Sequence, residues 1–164
     1  MWNLEQFKDN MAVLDEYGNG LTYSQLIEES EKIMNAINGR CLVFSLCQNE
    51  IGSIVGYVSF IDARVVPVLI NSHMEEGLLE NLIDTYCPSF LWVPERQISK
   101  FPNTSVVYQA FHYVLLKTEY KKTYDLYNEL GLLLTTSGST GSPKFVRQSY
   151  ENILDNAQSI ITYL

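Results

Sequence analysis

The stretch Leu132-Leu-Leu-Thr-Thr-Ser-Gly-Ser-Thr-Gly-Ser-Pro-Lys144 joins a short apolar run to a series of hydroxyls and glycines with nothing bulky among them. Leu132 to Leu134 has the character of a buried strand. From Thr135 to Ser142 every residue is Thr, Ser or Gly. Glycine admits positive φ and close approach of another group, and consecutive N–H groups in such a loop converge on an anion while hydroxyls add donors. Pro143 stiffens the exit and Lys144 places a point charge suited to phosphate. Composition leaves two readings open, a phosphate-cradling loop and a flexible surface loop. An ordinary P-loop is excluded by spacing: Pro143 stands five residues after Gly138 where glycine is needed, and Phe145 follows Lys144 where Ser or Thr is needed. Phe145-Val-Arg147 reads as a short strand, with a helix starting near Ser149. An anion held here therefore lies in a loop between strands, not on a helix N-terminus.

Thr136-Ser-Gly-Ser-Thr-Gly-Ser-Pro-Lys144 resembles the signature loop of the AMP-forming adenylate ligases, a superfamily that includes acyl-CoA synthetases, adenylation domains of non-ribosomal peptide synthetases and D-alanine–carrier-protein ligases. Val146, Ser149 and Asn152 stand where the family commonly has valine, Thr/Ser and asparagine. Phe145 stands where glycine is usual and Tyr150 where histidine is frequent. The resemblance implies an α/β fold with a largely parallel sheet covered by helices on both faces, the first subdomain of the ligase fold. Residues 1–164 would be the N-terminal part of the AMP-binding domain. It also implies activation of a carboxylic acid with ATP and Mg²⁺, followed by transfer to coenzyme A or a phosphopantetheine carrier protein. Thr136, Ser137, Gly138, Ser139, Thr140, Gly141 and Lys144 would hold the β- and γ-phosphates, with Lys144 stabilising the leaving pyrophosphate. The family's later motifs lie outside these residues. The resemblance therefore implies a piece inactive by itself. A non-catalytic phosphate-binding or self-associating α/β domain is the alternative.

The chain has 164 residues, 46% hydrophobic and 18% charged, with a formal net charge of −8. That is enough chain for one core and too much apolar content for a disordered segment. The acidic balance argues against general affinity for nucleic acid or anionic membranes. It also requires local positive charge at any phosphate site, for which Lys144 and Arg147 are the candidates. No apolar run approaches the ~20 residues of a spanning helix, and no signal-peptide pattern opens the chain. Cys41, Cys47 and Cys87 match no zinc or redox spacing. Reduced thiols, a cytoplasmic location and no metal site are the expectation.

Taken in order, Met11–Leu14 and the turn Tyr17-Gly-Asn-Gly20 suggest a hairpin into Leu21. Thr22 and Gln25 read as a capping box, and the helix they start stops at Asn38-Gly39. Strand, helix, strand, helix, strand follow across Cys41–Leu46, 49–63, Val65–Ile70, Glu75–Tyr86 and Ser89–Val93, the pattern of a parallel sheet. The run Ala63-Arg-Val-Val-Pro-Val-Leu-Ile-Asn71 resembles the family's second landmark, with Arg64 in place of a glycine at the helix stop. Val106–Tyr108 and Tyr113–Leu116 read as short strands. His73, in a loop after a parallel strand, lacks the partners of a catalytic histidine. His112 reads as core or edge, and Trp2 and Trp92 as packing residues. From its N-cap Ser149, the last helix carries Ile153, Leu154, Ala157, Ile160, Ile161 and Leu164 on one face. That face motivates an expectation of self-association.

Overall fold

A computed structural model of the chain describes residues 2–135 and 145–164. The expected hairpin forms from β1 (Met11–Leu14) and β2 (Gly20–Thr22), antiparallel and in a small sheet of their own. Its turn is closed by Asp15, whose carboxylate accepts from the Tyr17 and Asn19 backbone N–H groups at 2.9 and 2.8 Å. The Asn19 side chain donates to it as well, and these bonds hold the Asp15 carboxyl below its ordinary range. α1 (Tyr23–Ala36) starts on the expected capping box: Thr22 Oγ1 accepts from Gln25 N–H at 3.3 Å, and Gln25 Oε1 accepts from Thr22 N–H at 2.8 Å.

β3 (Leu42–Cys47), α2 (Ile51–Asp62), β4 (Val66–Asn71), α3 (Glu76–Tyr86) and β5 (Phe90–Pro94) then alternate as the hydrophobic pattern predicts. A 3₁₀ helix over Glu95–Lys100 follows β5. β6 (Thr104–Ala110), β7 (Tyr113–Thr118), β8 (Leu130–Thr135), β9 (Phe145–Ser149) and α4 (Tyr150–Tyr163) complete the order. The main sheet runs β6-β7-β5-β3-β4-β8-β9. Only its middle is parallel, through β5-β3, β3-β4 and β4-β8; β6, β7 and β9 are antiparallel to their neighbours. The sheet is thus mixed rather than largely parallel. The connections explain why. β6 and β7 are joined by Phe111-His112, both with positive φ, +50° and +59°, as a tight antiparallel hairpin requires. The 136–144 segment between β8 and β9 is shorter than the dozen or more residues a parallel crossover needs. His112 is accordingly an exposed turn residue, not part of a strand or core.

Successive side chains of a strand point to opposite faces, and the two main cores follow that alternation. Leu42, Phe44 and Leu46 of β3 face α3 and pack with its Leu79 and Leu82. Val43, Phe90, Trp92, Tyr113 and Leu115 face α1 and α2 and pack with Ile33, Val55 and Phe60. α1 and α2 are linked by a buried hydrogen bond between the Ser30 and Ser59 hydroxyls, 2.9 Å apart. α2 lies so close to the sheet that a Cβ on Gly56 would fall 2.3 Å from Trp92 Nε1, and one on Gly52 2.3 Å from the Tyr113 ring. In that niche Trp92 Nε1–H donates to the Gly52 carbonyl at 2.9 Å. Trp92 is thus the packing residue expected. α4 joins a third, smaller cluster through Tyr150 and Ile153, against Ile61, Leu132 and Trp2.

Candidate functional site

β8 delivers its C-terminal end to the edge of the sheet where β3 and β4 also end. Its register beside β4 pairs Leu133 with Val68 and Leu134 with Leu69. Thr135 closes the strand with its hydroxyl donating to the Leu69 carbonyl at 3.3 Å. The predicted phosphate ligands Thr136, Ser137, Gly138, Ser139, Thr140, Gly141 and Lys144 lie outside the described residues. Both flanks are defined: Thr135 pairs with Phe145, so the segment leaves and re-enters at the carboxyl edge of the parallel strands. Phe145, the departure from the family's usual glycine, packs its ring 4.6 Å from Tyr86 and edge-on to Phe44 at 6.4 Å. That apolar anchor fastens the exit of the segment to α3 and β3.

A topological switch point lies beside this point. β3 continues into α2 on one face and β4 into α3 on the other, so their connections diverge at adjacent strand ends, the place where open α/β sheets bind ligands. The polar contacts around it were not legible in the sequence. Arg96, just past β5, donates through Nη1 to Glu50 Oε1 at 3.0 Å and through Nη2 to Gln48 Oε1. Gln48 N–H donates to Ser53 Oγ at 2.8 Å, while Gln48 Nε2 is buried and without a partner among the described residues. Gln97 Nε2 donates to the Ser72 carbonyl at 3.3 Å and leaves its own Oε1 buried and unpartnered. Buried amide groups left without a partner are costly. The only sequence signal was position, a cation immediately after a parallel strand. His73 sits here too, its Nδ1 3.3 Å from the Ser72 hydroxyl and its backbone N–H on Asn71 Oδ1. Among the described residues no group of three His, Cys, Asp or Glu side chains is placed to hold a metal.

The opposite end of the β8–β9 hairpin is clamped by a residue that sequence reasoning passed over. Arg40 Nη2 donates to the Tyr127 and Leu130 carbonyls at 2.9 and 2.7 Å. Its Nη1 donates to the Arg64 carbonyl and, at 3.2 Å, to the Tyr150 hydroxyl. Arg64 keeps the left-handed conformation, φ +55°, despite replacing a glycine. Its guanidinium lies 4.8 Å from the centroid of the Tyr150 ring. Two departures from the family pattern, Arg64 and Tyr150, therefore meet, and a cation–π contact offsets part of the cost of positive φ at a non-glycine residue. The three cysteines are free and half-buried, and burial pushes the Cys41 thiol up to about 11 and raises that of Cys47.

The flanks of the hydroxyl- and glycine-rich sequence thus lie at the carboxyl edge of an α/β sheet, the edge at which open α/β folds bind ligands. Comparison with known proteins carries this further. No family model matches the sequence. The chain is 26% identical over 159 residues to the 2-succinylbenzoate–CoA ligase of Escherichia coli K12, a match covering 96% of this chain and 31% of that ligase. Its fold superposes on ATP-bound MatB from Rhodopseudomonas palustris with a TM-score of 0.72 at 16% identity, over 98% of this chain and 36% of the other. The AMP complex of the O-succinylbenzoate coenzyme A synthetase of Bacillus subtilis gives 0.67 at 20% identity, covering 98% and 45% respectively. The chain is thus similar in sequence to a CoA ligase and in fold to ATP- and AMP-bound ligase structures, and it spans about a third of the E. coli relative's length.

Proposed function

We propose that residues 1–164 form the N-terminal part of the AMP-binding domain of a cytoplasmic acid–thiol ligase. In this reading a carboxylic acid attacks the α-phosphate of ATP, pyrophosphate leaves, and the resulting acyl-adenylate is consumed by the thiol of coenzyme A or of a phosphopantetheine carrier protein. What supports the reading is the position of the two flanks: Thr135 and Phe145, between which the signature sequence lies, pair at the carboxyl edge of the parallel strands. Thr136, Ser137, Gly138, Ser139, Thr140, Gly141 and Lys144 hold the β- and γ-phosphates, and Lys144 stabilises the charge that develops on the leaving pyrophosphate. Mg²⁺ carried by the triphosphate would neutralise part of its charge.

The test is exchange of labelled pyrophosphate into ATP, driven by a carboxylate, in the complete ligase. Lys144→Ala is expected to slow adenylation by about ten- to a hundred-fold, the size of one hydrogen bond to a charged group. An unchanged rate, or formation of ADP and phosphate instead of AMP and pyrophosphate, refutes the assignment. The 164 residues alone are expected to bind Mg-ATP weakly and to complete no adenylation. A second reading, a self-associating α/β module without catalysis, draws on α4, whose Ile160 and Ile161 are 52% and 66% exposed. Light scattering that finds a clean monomer at high concentration removes it.

A further inference from the structure

On the α3 face, a groove of 440 Å³ runs between α3 and the segments flanking β6 and β7. Its floor is apolar, from Leu79, Ile83, Leu91 and Phe101. Its walls are acidic. Glu76, Glu80 and Asp84 follow one another at every fourth residue of α3 and so share one side of the helix. Glu119 stands among the lining residues beyond β7. Lys100 offsets one of these charges, 3.8 Å from Glu76. Asp84 is fixed in place by the Tyr120 hydroxyl, which donates to it at 2.8 Å. That bond, with partial burial, raises the Tyr120 phenol to about 12, so the donor persists at neutral pH.

We propose that this groove docks a basic, amphipathic segment of a partner protein, its cations on the α3 carboxylates and an apolar side chain on the floor. The geometry favours a segment over a small amine. At ~1.5 Å rise per residue, Glu76 and Asp84 stand ~12 Å apart along α3 with Glu80 between them. One ammonium reaches one end of that column only. Lysines or arginines at i and i+4 of a helix, or at i and i+2 of a strand, recur every ~6–7 Å and match all three carboxylates. The apolar floor adds what an exposed acidic surface lacks: a cation without an adjoining apolar group leaves it uncovered. The net charge of −8 draws a basic partner to the chain over longer range.

The probes are two fluorescein-labelled 12-residue peptides with the same lysines, one carrying leucines between them and the other serines. Binding to the 164-residue chain is read by anisotropy at physiological salt. The Lys/Leu peptide is expected to bind at least tenfold tighter than the Lys/Ser peptide and to shift the amide signals of Leu79, Ile83 and Phe101. Glu80→Lys with Glu119→Lys, both exposed positions, is expected to weaken it at least tenfold while the circular dichroism spectrum stays unchanged. Equal affinity of the two peptides, no effect of the double reversal, or shifts confined to α4 would overturn the proposal. So would loss of self-association in the double variant, which would make a second copy the occupant. None of these results bears on the ligase reading, which pyrophosphate exchange tests separately.

Discussion

α1 and α4 are both 14 residues long, both open on a capping box and both carry an apolar face, yet their surroundings differ. α1 buries Leu26, Ser30 and Ile33 against α2 and the sheet, with Ile33 fully enclosed. α4 buries Tyr150 alone, and Leu154, Ile160 and Ile161 are 44%, 52% and 66% exposed. Local start signals depend on four residues and work wherever they occur. Burial depends on what the rest of the chain brings to the face, and α4 begins at the rim of the sheet beyond β9.

The largest expected effect separates the two helices directly. Ile33→Ala should cost about 2–5 kcal/mol, because a fully buried side chain leaves a cavity as well as losing its transfer energy. Ile160→Ala should stay within ~0.5 kcal/mol. Chemical denaturation measures both, and comparable losses would mean that α4 is covered in solution. Next comes the niche under α2. Gly56→Ala should cost about 1–3 kcal/mol by overpacking against Trp92, with a perturbed near-ultraviolet Trp signal; a neutral outcome would mean that α2 can move away from the sheet.

Cap removal sharpens the contrast further. Thr22→Ala should lower global stability by ~1 kcal/mol. Ser149→Ala should instead speed hydrogen exchange within α4 while the denaturation midpoint barely moves, because a helix held at one end opens on its own. Equal global losses would contradict this difference. The smallest effect at neutral pH concerns the packed side alone. The Cys41 thiol, ordinarily ionising near 9.0, is held neutral by burial up to about 11, and the Tyr113 phenol, ordinarily near 10.0, up to about 12. In both cases the folded state binds the proton more tightly than the unfolded state. The stability this contributes is full below about pH 9 and is lost between pH 9 and 12. Cys41→Ala should flatten the first part of that loss; an unchanged profile from pH 9 to 11 would mean that the thiol is solvated.

Much of this molecule was legible before its fold. The hairpin from Met11 to Leu21, the Thr22 capping box, the Ser149 N-cap, the strand–helix alternation from β3 to β5 and the strands flanking the signature segment all rest on contacts between near neighbours, which periodicity and turn chemistry report. The signature segment was legible as a motif, although its nine residues lie outside the described structure. Arg40 was not legible: its partners lie 24 to 110 residues away, and nothing in its local sequence announces them. Gly52 and Gly56 looked like ordinary helix glycines until Tyr113 and Trp92 were placed beneath them.

By itself, the sequence determined the elements, their caps and the family-specific segment, because these depend on the φ/ψ preferences and hydrogen-bonding reach of adjacent residues. Only the tertiary structure decided the order β6-β7-β5-β3-β4-β8-β9 and with it the mixed sheet. The same order brought Arg96 to Gln48 and Glu50, paired Arg64 with Tyr150 and left Ile160 and Ile161 of α4 exposed. Strand order is a choice among long-range pairings of comparable local energy, settled by which arrangement buries both faces of β3, β4 and β5 at once.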